Sequence, residues 1–187
     1  MKKILVVVDV QNDFIDGSLR NEDAIKAIPN IVNKINTFDG DYIFVTRDTH
    51  SVDYLSTPEG KKLPVEHCIY NTTGWLINGE VISALHKKEL SESPVIISYI
   101  NKPTFGSFEL VKKIQNAIDT MYDDIIEIEF IGFCTDICVI SNALILRSLD
   151  EYMPITIDAS CCAGSTPVRR GTPRAGWRRI RRPSRAP

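Results

Sequence analysis

The chain has 187 residues, 43% hydrophobic and 25% charged, an ordinary globular mix that supplies a core for one domain without disulfide or metal staples. No apolar run approaches the roughly 20 residues of a spanning helix, and Met1-Lys2-Lys3 precedes too short an apolar stretch for a signal peptide, so no membrane partner is expected. The five cysteines are odd in number and lack framework spacing, which argues against a secreted disulfide scaffold and points to a reducing, cytoplasmic setting.

Ile4–Val8 is a continuous apolar, mostly β-branched run ending in Asp9, the pattern of a central parallel strand covered on both faces. Apolar residues at 25, 28, 31, 32, 35 and 38 then predict a helix over Ala24–Phe38. A second strand is expected at Asp41–Thr46, ending at Arg47-Asp48, and a short helix at Glu80–Leu85. A third strand, Pro94–Ile100, runs out at Asn101-Lys102, and a helix over Phe108–Met121 follows. The fourth strand, Ile125–Gly132, leads through Phe133-Cys134 into a helix over Ile137–Leu149, and Pro154–Asp158 closes the pattern as a fifth strand. Strand and helix alternate, which predicts an α/β fold: a three-layer α/β/α sandwich around a mainly parallel sheet.

In open parallel sheets, chemistry collects at the carboxyl ends of the strands. Here those ends are Asp9, Asp48 with His50, Lys102, and the segment Cys134–Cys138. Asp136 suits an N-cap, which would put Cys138 in the first turn of a helix, where main-chain N–H groups and the helix dipole favour a thiolate. The alternative for Cys138 is a small buried apolar residue. A carboxylate beside a thiol can act as general base and later as general acid, a role open to Asp9, and a lysine between them can hold both anions in register. Taken singly, Asp9 could equally cap a loop and Lys102 could be a solvated lysine. Asp48-Thr49-His50 with the more distant His67 offers a carboxylate and two imidazoles, a ligand set for Zn²⁺, Fe²⁺ or Mn²⁺, or else two histidines that only brace loops.

Val8-Asp9-Val10-Gln11-Asn12-Asp13-Phe14, Lys102-Pro103-Thr104-Phe105 and Gly132-Phe133-Cys134-Thr135-Asp136-Ile137-Cys138-Val139 together resemble the isochorismatase-like cysteine hydrolases over about residues 3–166. The resemblance implies a six-stranded parallel sheet between helices and a catalytic triad of Asp9, Lys102 and Cys138. It also implies a cis peptide before Cys134, with the N–H groups of Cys134 and Cys138 as oxyanion hole. Some members that lack the cysteine split vinyl ethers; retention of Cys138 implies acyl transfer through a thioester. Arg47-Asp48-Thr49-His50 and Leu63-Pro64-Val65-Glu66-His67-Cys68 resemble the nicotinamidases. That likeness implies a divalent metal, zinc with iron or manganese as alternatives, on Asp48, His50 and His67, holding the pyridine nitrogen of nicotinamide. Phe14 and Trp75 fall in segments like the pocket wall of that family, with Phe105 and Tyr70 as weaker candidates. The expected partner is a small-molecule amide, with a homo-oligomer possible in principle. The rival readings are a metal-free hydrolase of a carbamoyl or ureido compound and an inactive, truncated interaction protein.

The charge is unevenly spread. Residues 1–166 carry a net −10, whereas 167–187 carry +8 from eight arginines without a single acid. The motifs end near Thr166-Pro167, so the expected domain is 1–166, lacking the family's last helix and strand. Residues 167–187 form a basic Arg/Pro-rich tail expected to be disordered: a frame-shift scar, an arm for an anionic partner, or a small module. Binding of nucleic acid is not the favoured reading.

Overall fold

A computed structural model describes residues 2–121, 126–150 and 152–165. Five parallel strands form one sheet: β1 (Lys2–Val8), β2 (Tyr42–Asp48), β3 (Ile96–Lys102), β4 (Ile126–Phe133) and β5 (Ile155–Ala163), in the order β3-β2-β1-β4-β5. Between them run α1 (Glu22–Thr37), α2 (Gly79–Glu89), α3 (Phe108–Thr120) and α4 (Ile140–Arg147). The tail expected at 167–187, in place of the family's last helix and strand, lies outside the described residues.

β1 explains the layering. Leu5 and Val7 pack with Ile28, Ile31 and Ile35 of α1 and with Val81 and Leu85 of α2. Ile4, Val6 and Val8 point the other way, against Leu110 and Ile114 of α3 and Val139 and Leu146 beside and within α4. All five residues of the run are fully buried, as period-two alternation between two apolar layers requires. The chain winds outward from β1 to β3, then crosses back to β4 on the far side of β1. Parallel strands diverge there, and the crevice at their carboxyl ends becomes the place for a site.

Local chemistry sets the element ends. Asn21, Asn78 and Ser107 cap α1, α2 and α3 through side-chain oxygens that accept main-chain N–H bonds. The sequence differs from the structure at two such points. Asp136 is not a cap: α4 is entered through a π-helical turn, Thr135–Val139, and the Asp136 carboxylate instead accepts the N–H and hydroxyl of Ser165 at 2.7 and 2.6 Å. β5 runs five residues past Asp158, to Ala163, because a register shift between Phe130 and Gly132 lets Cys162 and Ala163 rejoin β4. The small and polar residues there carry little strand propensity and are held by the ladder.

Candidate active site and metal centre

Gly132 makes the crevice possible. Its φ is +111°, and a Cβ would stand 2.1 Å from the carbonyl oxygen of Val8, its partner in β1. Only glycine allows β4 to approach the end of β1 this closely. The next peptide, Phe133–Cys134, is cis, as the resemblance implied, and the π-helical turn then carries Cys138 back over the end of β1. Asp9, just past β1, holds a left-handed φ of 48°, a strained conformation of the kind that clusters at functional sites.

The three groups named from the strand ends meet. Lys102, the last residue of β3, is completely buried, so the solvated-lysine alternative does not describe it. Its Nζ lies 2.6 Å from Asp9 Oδ2, 3.3 Å from Cys138 Sγ and 3.3 Å from Asp48 Oδ1. Asp9 Oδ1 accepts the Thr46 hydroxyl at 2.7 Å. Burial pushes the Asp9 carboxyl above the usual carboxylate range, against the pull of Lys102. Burial would lower the Lys102 ammonium, but the carboxylates of Asp9 and Asp48 outweigh it and hold the group charged. The Cys138 thiol is pushed well up, first by burial and then by the charge of Asp9. This differs from the lowering of the thiol expected from a helix terminus. The helix terminus does not offset desolvation in a pocket already holding two carboxylates.

A second cluster adjoins the first through Asp48. Asp48 Oδ2 lies 3.0 Å from His50 Nε2 and 3.5 Å from His67 Nε2, and one ligand atom from each of the three residues falls within a 4.8 Å span. All three side chains are buried. The Nδ1 of His67 stands 2.8 Å from the carbonyl of Val65, the outer bond that turns Nε2 inward as a donor to a metal. Gln11 fixes Asp48 by accepting its N–H and donating to its carbonyl, at 2.7 and 2.8 Å. The donor chemistry and convergence fit a divalent metal with an open position.

Two residues here had no signal in the sequence. Glu59 brings Oε1 to 3.8 Å from His50 Nε2 and 4.0 Å from His67 Nε2, and burial followed by the charge of Asp48 raises its carboxyl. Tyr54 packs its ring 4.6 Å from His50 and 4.9 Å from His67. Both sit in an aperiodic loop after β2, where only a count of carboxylates near His50 could have raised Glu59. Of the aromatic candidates, Phe14 meets His67 edge-on at 5.8 Å. Trp75 donates Nε1–H to Thr49 Oγ1 at 2.9 Å and carries the Arg47 guanidinium 4.3 Å above its ring. Tyr70 packs on the edge of Trp75, and Phe105 is 44% exposed. A cleft of about 590 Å³ lined by Lys2, Asp41, Tyr42 and Met121 opens at the opposite, amino-terminal edge of the sheet, away from all of these groups.

The isochorismatase domain matches residues 3–181. The chain belongs to the isochorismatase family. It is 30% identical over 149 residues to an uncharacterized isochorismatase family protein, PncA, of Bacillus subtilis, covering 77% of this chain and 78% of that one. In structure it resembles the nicotinamidase/pyrazinamidase PncA of Bacillus subtilis, with a TM-score of 0.72, 27% identity and 89% of each chain covered. It also resembles the pyrazinamidase of Pyrococcus horikoshii in complex with zinc, with a TM-score of 0.65, 25% identity and 89% of each chain covered. The parallel sheet flanked by helices, five-stranded among the described residues, matches the α/β fold of this family. Among the described residues no helix is long and apolar enough to cross a membrane, and all five cysteines are unpaired.

Proposed function

We propose that the chain is a cysteine amidohydrolase that converts nicotinamide to nicotinate and ammonia through a thioester on Cys138. The observation that carries this reading is one buried ammonium, Lys102, within 3.3 Å of a carboxylate, a thiol and a carboxylate of a possible metal centre. The nicotinamidase and pyrazinamidase relatives support an amide beside an aromatic ring as substrate.

Asp9 takes the thiol proton as Cys138 Sγ attacks the carboxamide carbon. The carbonyl oxygen becomes an oxyanion, accepted by the N–H groups of Cys134 and Cys138. Asp9 returns the proton to the departing nitrogen, ammonia leaves, and the acyl group remains on sulfur. Asp9 then draws a proton from water, which attacks the thioester; nicotinate departs and the thiol is restored. Lys102 stays charged and holds Asp9 in place throughout. Asp48, His50 and His67 are the residues that would hold a divalent metal, with zinc the reading favoured by the Pyrococcus horikoshii relative. Such an ion would bind the pyridine nitrogen and so orient the ring. Phe14, beside His67, and Trp75, near Asp48, are the proposed ring-binding residues.

The deciding experiment is ammonia release from nicotinamide, with and without chelator. Turnover that falls on chelation and returns with added zinc is expected. Turnover of a carbamoyl compound but not of nicotinamide, indifferent to chelator, would favour the metal-free alternative.

A further inference from the structure

Asn142 lies on α4 one helical turn beyond Cys138 and is completely buried. Its amide is used at both ends, on main-chain atoms from two separate segments. Nδ2 donates to the carbonyl of Cys138 at 2.8 Å and to the carbonyl of Phe105 at 3.1 Å, and Oδ1 accepts the N–H of Ser107 at 2.9 Å. Phe105 and Ser107 belong to the loop that leaves Lys102, and Lys102 Nζ donates to Thr104 O in that same loop at 3.3 Å. A closed circuit results: Lys102 to its own loop, the loop to Asn142, Asn142 to the main chain of Cys138, and Cys138 Sγ back to Lys102.

The neighbours of Asn142 are apolar. Cys138, Val139, Ala143 and Leu146 all pack in the cluster that faces α3. A leucine or methionine would fill such a position at less desolvation cost than an amide, whose burial is offset only when its hydrogen bonds are made. This amide makes three, and all run to the two segments that carry the ammonium and the nucleophile.

We propose that Asn142 is a positioning residue that sets the separation between Cys138 Sγ and Lys102 Nζ. The proposal rests on the reading of Cys138 as nucleophile and not on the identity of the amide. It touches no substrate atom and acts through the main chain of the π-helical turn. Misplacement of a reacting group by about 1 Å costs up to about 100-fold in rate, so loss of this clasp lowers kcat by about 10- to 100-fold with KM little changed.

The test uses the full chain with Asn142→Ala and Asn142→Asp. Aspartate has the shape of asparagine and keeps an acceptor for the Ser107 N–H; ionised it donates to neither carbonyl, and protonated by burial it donates to one at most, so either form opens the clasp. It therefore supplies the reading even where alanine prevents folding. Two quantities are followed well below the melting temperature: kcat and KM for nicotinamide, and the rate at which iodoacetamide labels Cys138, read by mass spectrometry of its peptide. The expected result is a parallel drop in kcat and in labelling rate, with unchanged KM and metal content. A lower melting temperature with wild-type kcat and labelling rate would make Asn142 merely structural and overturn the proposal. Should the wild-type chain not hydrolyse nicotinamide, slower labelling of Cys138 in the variants still supports the clasp, and equal labelling still refutes it.

Discussion

Replacing Lys102 by methionine keeps most of its volume and removes the cation in contact with Asp9. At an effective permittivity of about 20, the pair separated by 2.6 Å attracts by about 6 kcal/mol before desolvation is counted. Removing one partner of such a buried pair typically costs about 3–5 kcal/mol, a large share of the about 5–15 kcal/mol that holds a domain folded. The loss should depend on pH. Burial already raises the Asp9 carboxyl, and Lys102 is the main influence holding it down. Without Lys102 the folded value rises further, and the folded chain must take up a proton that the unfolded chain does not hold. The wild type already carries part of this penalty, so the difference between the two chains opens only above the raised value of Asp9 in the wild type and then grows by about 1.4 kcal/mol per pH unit up to the value in the variant. Urea unfolding of wild type and Lys102→Met, with chelator in both, should therefore show a larger difference at about pH 7 than at about pH 5. Adding Asp9→Asn should remove most of the pH dependence. A difference below about 1 kcal/mol, or one that does not change with pH, would refute this account of the buried ion pair.

Four further outcomes are expected. Cys138→Ala should abolish amide hydrolysis while leaving nicotinamide affinity, measured by calorimetry, nearly intact. Asp48→Ala and His50→Ala should each lose the bound metal by elemental analysis, and weaken turnover of a pyridine carboxamide more than that of an aliphatic amide. Gly132→Ala should destabilise by more than about 2 kcal/mol in thermal unfolding, because an L side chain there must adopt an unfavourable φ and displace the Val8 carbonyl. Lys34 joins α1 to Glu129 of β4 and Asp158 of β5 at 3.0 and 2.8 Å, and these partners hold its ammonium up against burial. In the folded state burial raises Asp158 and Lys34 more than offsets it, so its carboxyl lies low; its contribution is present above about pH 4 and is lost in acid. Lys34→Met should then cost about 1 kcal/mol at neutral pH, discounted for partial exposure, and almost nothing at about pH 3 by urea unfolding.

The residues legible in the sequence are those whose position follows from strand periodicity. Asp9, Asp48 and Lys102 each end or follow an apolar run, and parallel strands place all such ends on one edge. That sufficed to bring Asp9, Lys102 and Cys138 together and to put Asp48 beside them. What the pattern could not supply depends on loops and on burial. Glu59 and Tyr54 come from a stretch with neither period, and Gln11 and Asn142 act through main-chain atoms far along the chain, with no spacing to mark them. The raised thiol of Cys138 was not legible for the same reason: a helix terminus can be read locally, whereas the desolvation that overrides it appears only once the sulfur is buried in the fold. Asp136 resembles a cap in one dimension, but Ser165 claims its carboxylate only once β5 lies beside β4.

Lys102 serves Asp9, Cys138 and Asp48 with a single positive charge. Asp9, Cys138 and Asp48 therefore do not titrate separately. A proton gained at any one of them alters the share of the ammonium left for the others, so each inflection in a pH–rate profile belongs to the group as a whole. Substituting a metal ligand should displace the limb that a simpler scheme would assign to the thiol, and loading the metal should do the same from the other side. Proton inventory in this enzyme is a property of a shared cation, and variants on either side of Lys102 will be non-additive.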